Sequence, residues 1–292
     1  MTVQLTYHPG LSNEDYHAID AVSPSKLKVL KRSPLHYFDK YLASDRERQK
    51  PTDAMKKGTA LHTAILEPDL WDATIAVKPE DAPNRPTEKQ LVQPAKTGTK
   101  AHEAWLDACS RRDWWAEFDK KSAGKLLISL GDADEVRRMA DSVRRHPAAS
   151  FLLEMPGRRE ASYTWTDPAT GLQCKTRPDY HTEDRRIVID LKSTIDAKRN
   201  EFSRSIVNYD YHVQSAWNID AIGAEQFITI AVESSRPYCV AVYPASDALI
   251  DAGRRRYEEA MEILAECVSS GIWPGYGDKI QEAIDLPEWC LD

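Results

Sequence analysis

The run IVIDLK at residues 187–192 constrains the fold of this 292-residue chain more than any other stretch. Its apolar, β-branched start predicts a strand that is buried in a sheet. Because side chains alternate along a strand, Asp190 and Lys192 project to one side while Leu191 points to the other. The pattern therefore predicts either a functional site at the end of a buried strand or the solvated ion pair of an ordinary hairpin.

A second carboxylate precedes this strand. Asp179 follows Pro178 in the alternating stretch LQCKTRPDY, and hairpin pairing would bring Asp179 and Asp190 together near one edge of the sheet. Two converging carboxylates repel each other unless a cation lies between them. Oxygen ligands select hard cations such as Mg²⁺ or Mn²⁺, and a nearby Lys192 can act on water or on a charged phosphate. These residues suit metal-assisted hydrolysis of a phosphodiester.

The rest of the sequence predicts helices and strands in an order typical of an α/β domain. Serine–proline pairs at residues 23–24 and 33–34 mark two helix starts, and a third helix carries GTALHTAILEP. The stretches EASYTWT, LQCKTRPDY and RIVIDLKS predict a three-strand antiparallel meander. A helix over residues 209–222, the strands QFITIAVES and YCVAVYP, and a long helix over residues 246–269 follow.

We expect one domain over residues 1–292, with an α/β fold whose mixed central sheet is flanked by helices. Residues 1–75 form a helical N-terminal part carrying His62, residues 76–124 an insertion or loop and a helix, and residues 125–292 the core and a C-terminal tail. Four aromatic residues lie at helical spacing in the second part: Trp105, Trp114, Trp115 and Phe118. That spacing favours packing over base stacking.

Composition narrows the class of protein. The net charge of −7 argues against a pure nucleic-acid-binding module, but not against a nuclease, which must supply carboxylates for its metal. The five cysteines are scattered and form no CxxC pair, which predicts no structural zinc or iron–sulfur site and a reducing cytoplasm. The N-terminal sequence lacks the pattern of a signal peptide, and the apolar runs are too short to cross a bilayer.

Four motifs follow one another along the chain: His62 in GTALHTAILEP, Asp179 in RPD, residues 190–192 in DLK, and Gln214 in YHVQSAW. In this order they resemble the PD-(D/E)XK nuclease superfamily, in its RecB-like branch. Gln214 matches the Q-x-x-x-Y motif of that branch, although Asn218 stands at the tyrosine position. The N-terminal YHAIDAVSPSKLKVLKRSPLHYFDKYL and the closing GIWPGYGDKIQEAIDLPEW resemble RecE-type exodeoxyribonuclease VIII proteins of phages and prophages.

The resemblance implies a restriction-endonuclease-like core and a Mg²⁺-dependent exonuclease that digests linear double-stranded DNA from 5′ ends in recombination. Mn²⁺ is expected to substitute for Mg²⁺. The resemblance also implies a homo-oligomer, a RecT-like single-strand annealing protein as partner, no membrane association, and the cytoplasm of a bacterial host as location.

The resemblance also assigns roles to residues. Three side chains and one backbone carbonyl would bind the metal: those of His62, Asp179, Asp190 and Leu191. Lys192 would be catalytic together with the two aspartates, and Gln214 would hold DNA or support the active site.

Some readings stay open at this stage. Glu160 is either an additional acidic group of the site or a surface residue at a strand end, and Tyr211 either faces the site with Gln214 or packs in the core. The function could also be that of a PD-(D/E)XK endonuclease or a single-strand exonuclease. A catalytically inactive module that binds DNA or recruits a recombinase is the non-enzymatic alternative, which intact Asp179, Asp190 and Lys192 argue against.

Overall fold

The computed structural model describes residues 4–46, 51–277, 279–281 and 283–284, which form an α/β fold. The helices are α1 (Asn13–Ala18), α2 (Pro24–Leu30), α3 (Pro34–Tyr41), α4 (Asp53–Leu66), α5 (Trp71–Thr74), α6 (Lys100–Ser122), α7 (Leu130–Arg145), α8 (Pro147–Glu154), α9 (Arg199–Asn208), α10 (Tyr211–Ile222) and α11 (Asp247–Ser270). The strands are β1 (Thr6–His8), β2 (Ile75–Lys78), β3 (Leu126–Ser129), β4 (Gly157–Arg159), β5 (Ser162–Thr166), β6 (Gln173–Thr176), β7 (Tyr180–Thr182), β8 (Ile187–Thr194), β9 (Gln226–Glu233) and β10 (Val240–Pro244).

The central sheet is mixed and has the strand order β10-β9-β8-β7-β4. Strands β8 and β9 are parallel and pair over eight residues each, whereas the other neighbours in this sheet are antiparallel. A parallel neighbour requires a crossover connection, and helices α9 and α10 supply it. Two smaller sheets, β1-β5-β6 and the parallel pair β2-β3, lie outside the central sheet.

Helices cover both faces of the central sheet. On one face, Ile189 and Leu191 of β8 pack in a cluster with residues of α4 and α7, two helices that also pack against each other. On the other face, Val188 packs in a cluster with residues of α10 and α11. Side chains on both faces of β8 are therefore buried. This is why its apolar run is continuous and does not alternate with polar residues.

The small sheet attaches the N-terminal segment to the core. Lys175 on β6 is buried, and its ammonium donates hydrogen bonds to the backbone carbonyls of Tyr16, His17 and Ile19, at 2.8, 3.4 and 2.8 Å. These carbonyls lie at the C-terminal end of α1, where backbone acceptors lack partners within the helix. One buried cation therefore caps a helix and fixes it against a strand.

Most predicted elements are present, but the predicted three-strand meander is wrong. Strand β6 pairs with β5 in the small sheet, while β7 pairs with β8 in the central sheet. The stretch LQCKTRPDY is divided between the two sheets at residues 177–179, because Pro178 has no N–H to donate to a ladder. The break leaves Asp179 outside both strands.

Three further predictions need correction. The part predicted as helical also contains β1, and the predicted loop begins with β2, which pairs with β3. The helix predicted over residues 209–222 begins at Tyr211. Asp210 adopts a left-handed conformation with φ 56°, and this break separates α10 from α9. Helices α8, starting at Pro147, and α9, starting at Arg199, are additional elements that the sequence patterns did not predict.

The aromatic residues of α6 pack, as their spacing favoured. The indole N–H of Trp115 donates to the Pro83 carbonyl and that of Trp105 to the Leu91 carbonyl, so α6 holds the irregular segment before it. Trp114 and Phe118 stack with their centroids 5.3 Å apart. Within the described ranges, none of the helices is both long and apolar enough to span a bilayer.

We predict that Lys175→Met lowers the free energy of unfolding by about 2–4 kcal/mol, because three buried carbonyls lose their charged donor. Chemical denaturation monitored by circular dichroism measures the change. Lys120→Met, on an exposed position of α6, is the matched control and should change stability by less than about 0.5 kcal/mol. Equal stability of the two variants would contradict the capping role of Lys175.

Candidate metal and catalytic site

Residues from distant parts of the chain meet where β7 begins and leaves the edge of β8 open. His62 comes from α4, Glu160 from the turn between β4 and β5, and Asp179 from the break before β7. Three further side chains lie next to these residues: Asp190 and Lys192 on β8, and Gln214 on the crossover helix α10. The site thus combines residues of α4, β8 and α10 with residues from the turn after β4 and the break before β7.

Three side chains form a compact donor group, whose ligand atoms all lie within 4.8 Å of one another: His62, Glu160 and Asp179. The Nδ1 atom of His62 is 3.4 Å from Oδ1 of Asp179 and 3.5 Å from Oε1 of Glu160. Its Nε2 atom is 3.2 Å from the Leu191 carbonyl oxygen. Oδ2 of Asp179 accepts a hydrogen bond of 2.7 Å from the Leu191 N–H.

Asp190 is not part of that compact group. Its Oδ2 atom is 2.6 Å from the ammonium of Lys192, and its Oδ1 atom accepts a 2.8 Å hydrogen bond from the side-chain amide of Gln214. Only 3% of the Asp190 side chain is exposed, against 14% for Lys192, so this ion pair is shielded from water. Both oxygens of a buried carboxylate are therefore satisfied, one by a cation and one by a neutral donor.

Charge dominates the site. Burial alone would lower the pKa of His62, but Asp179 and Glu160 hold that pKa well above its usual value. Burial raises the pKa of Asp190 to about 6 against the lowering effect of Lys192, and Asp179 adds a smaller rise. Burial also disfavours the charged form of Lys192, yet Asp190 and Asp179 raise its pKa. The carboxylates thus raise the pKa of the neighbouring His62 and Lys192, which is the effect expected of a site that favours positive charge.

Glu160 is held in an unusual backbone conformation. Its φ is 47°, in the left-handed region that non-glycine residues rarely adopt. Arg177 fixes it there, since its Nε–H donates a 3.0 Å hydrogen bond to the Glu160 carbonyl and lies 3.8 Å from the carboxylate. The Glu160 N–H donates to the Asp179 carbonyl at 3.0 Å. Strain of this kind persists only where the surroundings over-determine it and often accompanies function.

The donor set fits a hard divalent cation. It offers an imidazole nitrogen from His62, carboxylate oxygens from Glu160 and Asp179, and the Leu191 carbonyl beside them. Carboxylate and carbonyl oxygens suit Mg²⁺ and Mn²⁺, and the imidazole makes Mn²⁺ the easier of the two to accept. A cation there would interact with the same two carboxylates that raise the pKa of His62.

The structure brings the sequence-predicted residues together, with one difference in grouping. His62, Asp179 and the Leu191 carbonyl lie side by side, whereas Asp190 pairs with Lys192 and Gln214 next to them. Their individual roles remain predictions. The sequence left the places of Glu160 and Tyr211 open. Glu160 lies in the donor group, and the ring centroid of Tyr211 lies 5.0 Å from the Lys192 ammonium.

Arg177 was not anticipated as a residue that positions the site. The sequence shows it only as the residue before Pro178-Asp179. Two of its partners, the Leu11 carbonyl and the side chain of Asn13, lie more than 150 residues upstream, so no local pattern reveals them.

The chain belongs to the family described as "PDDEXK-like domain of unknown function (DUF3799)", whose match covers residues 23–285. The family places the chain among PD-(D/E)XK-type domains, which confirms that part of the resemblance. The RecE type remains a prediction, and part of the closing stretch on which it rests lies outside the described residues. A comparison with the curated proteins found no match.

One solved structure supports the fold. A candidate exonuclease from Eubacterium rectale is similar over 95% of this chain and 97% of its own, at 12% sequence identity and a TM-score of 0.57. A phage-related exonuclease from Haemophilus somnus 129PT matches 63% of this chain and 93% of its own, at 10% identity and a TM-score of 0.32. The first shows that both chains share a fold, and the second is too distant to support an argument.

We predict that Glu160→Gly weakens Mn²⁺ binding by about tenfold or more without lowering thermal stability. The variant removes a donor oxygen, and loss of even a supporting group costs a metal site about 10- to 100-fold. Stability should hold or rise, because glycine adopts a left-handed conformation freely. Calorimetric Mn²⁺ titration and thermal melting of the metal-free protein measure the two effects.

The matched control is Arg185→Gly. Arg185 also has a left-handed backbone, with φ 61°, but is exposed in the turn between β7 and β8. The Arg185→Gly variant should be more stable than the wild type by about 1 kcal/mol, and its Mn²⁺ affinity should be unchanged. Wild-type Mn²⁺ affinity in Glu160→Gly would exclude Glu160 from the metal site.

Proposed function

We propose that this protein is a divalent-metal-dependent DNA exonuclease that degrades linear double-stranded DNA. One observation carries the proposal: the donor group of His62, Glu160 and Asp179 lies directly beside the buried Asp190–Lys192 pair. Metal donors without a neighbouring lysine would suit a structural ion. A metal site with a shielded ammonium next to it suits hydrolysis of a phosphodiester, where charge develops on phosphate oxygens.

The residues would divide the chemistry as follows. His62, Glu160, Asp179 and the Leu191 carbonyl would hold the cation, which would supply Lewis-acid polarisation of the scissile phosphate. Asp190 lies near enough to contribute once its side chain exchanges a partner. The ammonium of Lys192 donates a hydrogen bond to the attacking water or to a phosphate oxygen. Gln214 keeps the Asp190 carboxylate oriented and so keeps Lys192 in place.

The supporting observations differ in reach. The PDDEXK-like family and the shared fold of the Eubacterium rectale protein support a nuclease. Exonuclease action from 5′ ends, a part in phage-type recombination, a homo-oligomer, a RecT-like partner and a single domain over residues 1–292 rest on the resemblance of the sequence motifs. Together they make a coherent proposal, because end resection produces the single strand that an annealing protein binds.

The experiment that tests the proposal is Mg²⁺- or Mn²⁺-dependent release of acid-soluble nucleotides from linear duplex DNA. Closed circular duplex of the same sequence is the control that separates an exonuclease from an endonuclease. Linear substrates labelled at the 5′ or the 3′ end give the polarity. Release that continues in excess EDTA, or equal cleavage of circles, would overturn the proposal.

We predict that Lys192→Ala and Asp179→Ala fail in different ways. Asp179→Ala loses a charged ligand and should weaken both metal binding and cleavage. Lys192→Ala removes a positive charge beside the cation, so metal affinity should stay the same or rise slightly. Cleavage should still fall by about a hundredfold or more, the scale expected for loss of one acid–base or electrostatic group.

The measurements are Mn²⁺ titration calorimetry and duplex degradation for each variant. Lys198→Ala, on an exposed lysine just before α9, is the matched control for loss of a nearby charge and should behave like the wild type. If Lys192→Ala degrades duplex at the wild-type rate, the Asp190–Lys192 pair has no catalytic part.

A further inference from the structure

An exposed tyrosine, Tyr209, lies two aromatic contacts from the proposed catalytic lysine. Tyr209 is 56% exposed, and its ring stacks on that of Tyr211 with centroids 5.5 Å apart and planes 26° apart. The Tyr211 ring centroid lies in turn 5.0 Å from the Lys192 ammonium. The two tyrosines therefore form a continuous aromatic path from the ion pair to solvent.

The backbone holds Tyr209 outward. The next residue, Asp210, is buried and left-handed, and this conformation ends α9 and starts α10. Its carboxylate pairs at 3.1 Å with the ammonium of Lys31, the residue that follows α2, and this ion pair fixes the turn that carries Tyr209. An exposed aromatic ring on a rigid turn has little conformational freedom left to lose on binding. This low entropic cost favours a binding role.

A cation accompanies the ring. The ammonium of Lys28 on α2 lies 5.4 Å from the centroid of Tyr209. Lys28 is exposed and makes no ion pair with any residue in the described ranges. Its long side chain can therefore reach a phosphate while the ring contacts a base. An aromatic platform beside a cation is how proteins bind single strands of nucleic acid.

We propose that Tyr209, Tyr211 and Lys28 form a platform on which an unpaired base stacks, so that the preferred substrate is a DNA end with unpaired nucleotides. This proposal deepens the proposed nuclease function and rests on it. Internal bases of a duplex already stack on both faces, so only an unpaired or terminal base can offer a face to Tyr209. The two centroid distances keep the ring within about three nucleotide steps of Lys192, at ~3.4 Å each along a strand.

The platform predicts a preference that can be measured without cleavage. Ca²⁺ fills oxygen-rich sites but is larger and looser in geometry than Mg²⁺, so it supports binding and little chemistry. In Ca²⁺, the wild type should bind a hairpin duplex with a short single-stranded overhang about tenfold more tightly than a blunt hairpin. Overhangs of either polarity should be compared, since the strand that contacts the ring sets the direction of digestion.

Three variants make the test specific. Tyr209→Ala should lose the preference for overhangs, and Tyr209→Phe should keep it, because the ring and not the hydroxyl stacks. Phe151→Ala removes another exposed aromatic ring, from α8 on the opposite face of the central sheet, and should also keep the preference. A 2-aminopurine base in the overhang should lose fluorescence on binding to the wild type and to Tyr209→Phe, but not to Tyr209→Ala.

Kinetics gives an independent readout. In Mg²⁺, Tyr209→Ala should raise KM for the overhang substrate about tenfold and change kcat little, because the platform binds a remote nucleotide and does not act on the reacting phosphate. Since Tyr209 is exposed, the variant should melt like the wild type, which separates loss of binding from loss of folding.

The outcomes distinguish the two proposals. No metal-dependent cleavage by the wild type, with the overhang preference intact in Ca²⁺, would overturn the nuclease function and leave the platform as a DNA-binding site. Metal-dependent cleavage by the wild type with equal affinity for blunt and overhanging ends, or an unchanged preference in Tyr209→Ala, would overturn the platform.

Discussion

The open edge of β8 at Leu191 is the feature on which the site depends. A strand residue presents its N–H and its C=O to the same neighbouring strand. At Leu191 the neighbour is missing, because β7 begins only at Tyr180, which pairs with Ile189. The Asp179 carboxylate takes the Leu191 N–H, and His62 approaches the Leu191 carbonyl. The backbone groups of Leu191 that lack a strand partner thus position the Asp179 carboxylate and the His62 imidazole close to the Leu191 carbonyl.

The same geometry explains why the charges are tolerated. Taking carboxylates out of water is unfavourable unless cations or donors meet them. Here Asp190 meets Lys192 and Gln214, and Asp179 meets a backbone N–H and His62. The groups that satisfy Asp190 and Asp179 are also those proposed to act in catalysis, so stability in the metal-free protein and function with metal depend on one network. Its members should therefore show strongly non-additive effects when they are changed together.

The sequence allowed the prediction of the fold class and of the residues that converge, for physical reasons. The apolar run before Asp190 indicated a buried strand, and alternation placed Asp190 and Lys192 on one side of it; both features depend on near neighbours. The sheet in which each strand pairs depends on distant partners, so the meander was wrong, and the hydrogen bonds of Arg177 to the N-terminal segment were invisible. The left-handed conformation of Glu160 was hidden for the same reason, since it follows from tertiary contacts and not from a glutamate's own preference.

Asn218 shows how a departure from a motif can be read from its surroundings. The Q-x-x-x-Y pattern of the resembling nucleases would place a tyrosine here, yet this position is 2% exposed, and the Asn218 amide oxygen accepts a hydrogen bond from the Thr176 hydroxyl. Position 218 therefore anchors α10 to β6. The aromatic ring beside Lys192 comes instead from Tyr211, one turn before Gln214. Because Tyr211 adjoins the turn at Asp210, its ring stacks on the exposed ring of Tyr209. A ring at position 218 would lie in the core and could not make this contact with a surface residue.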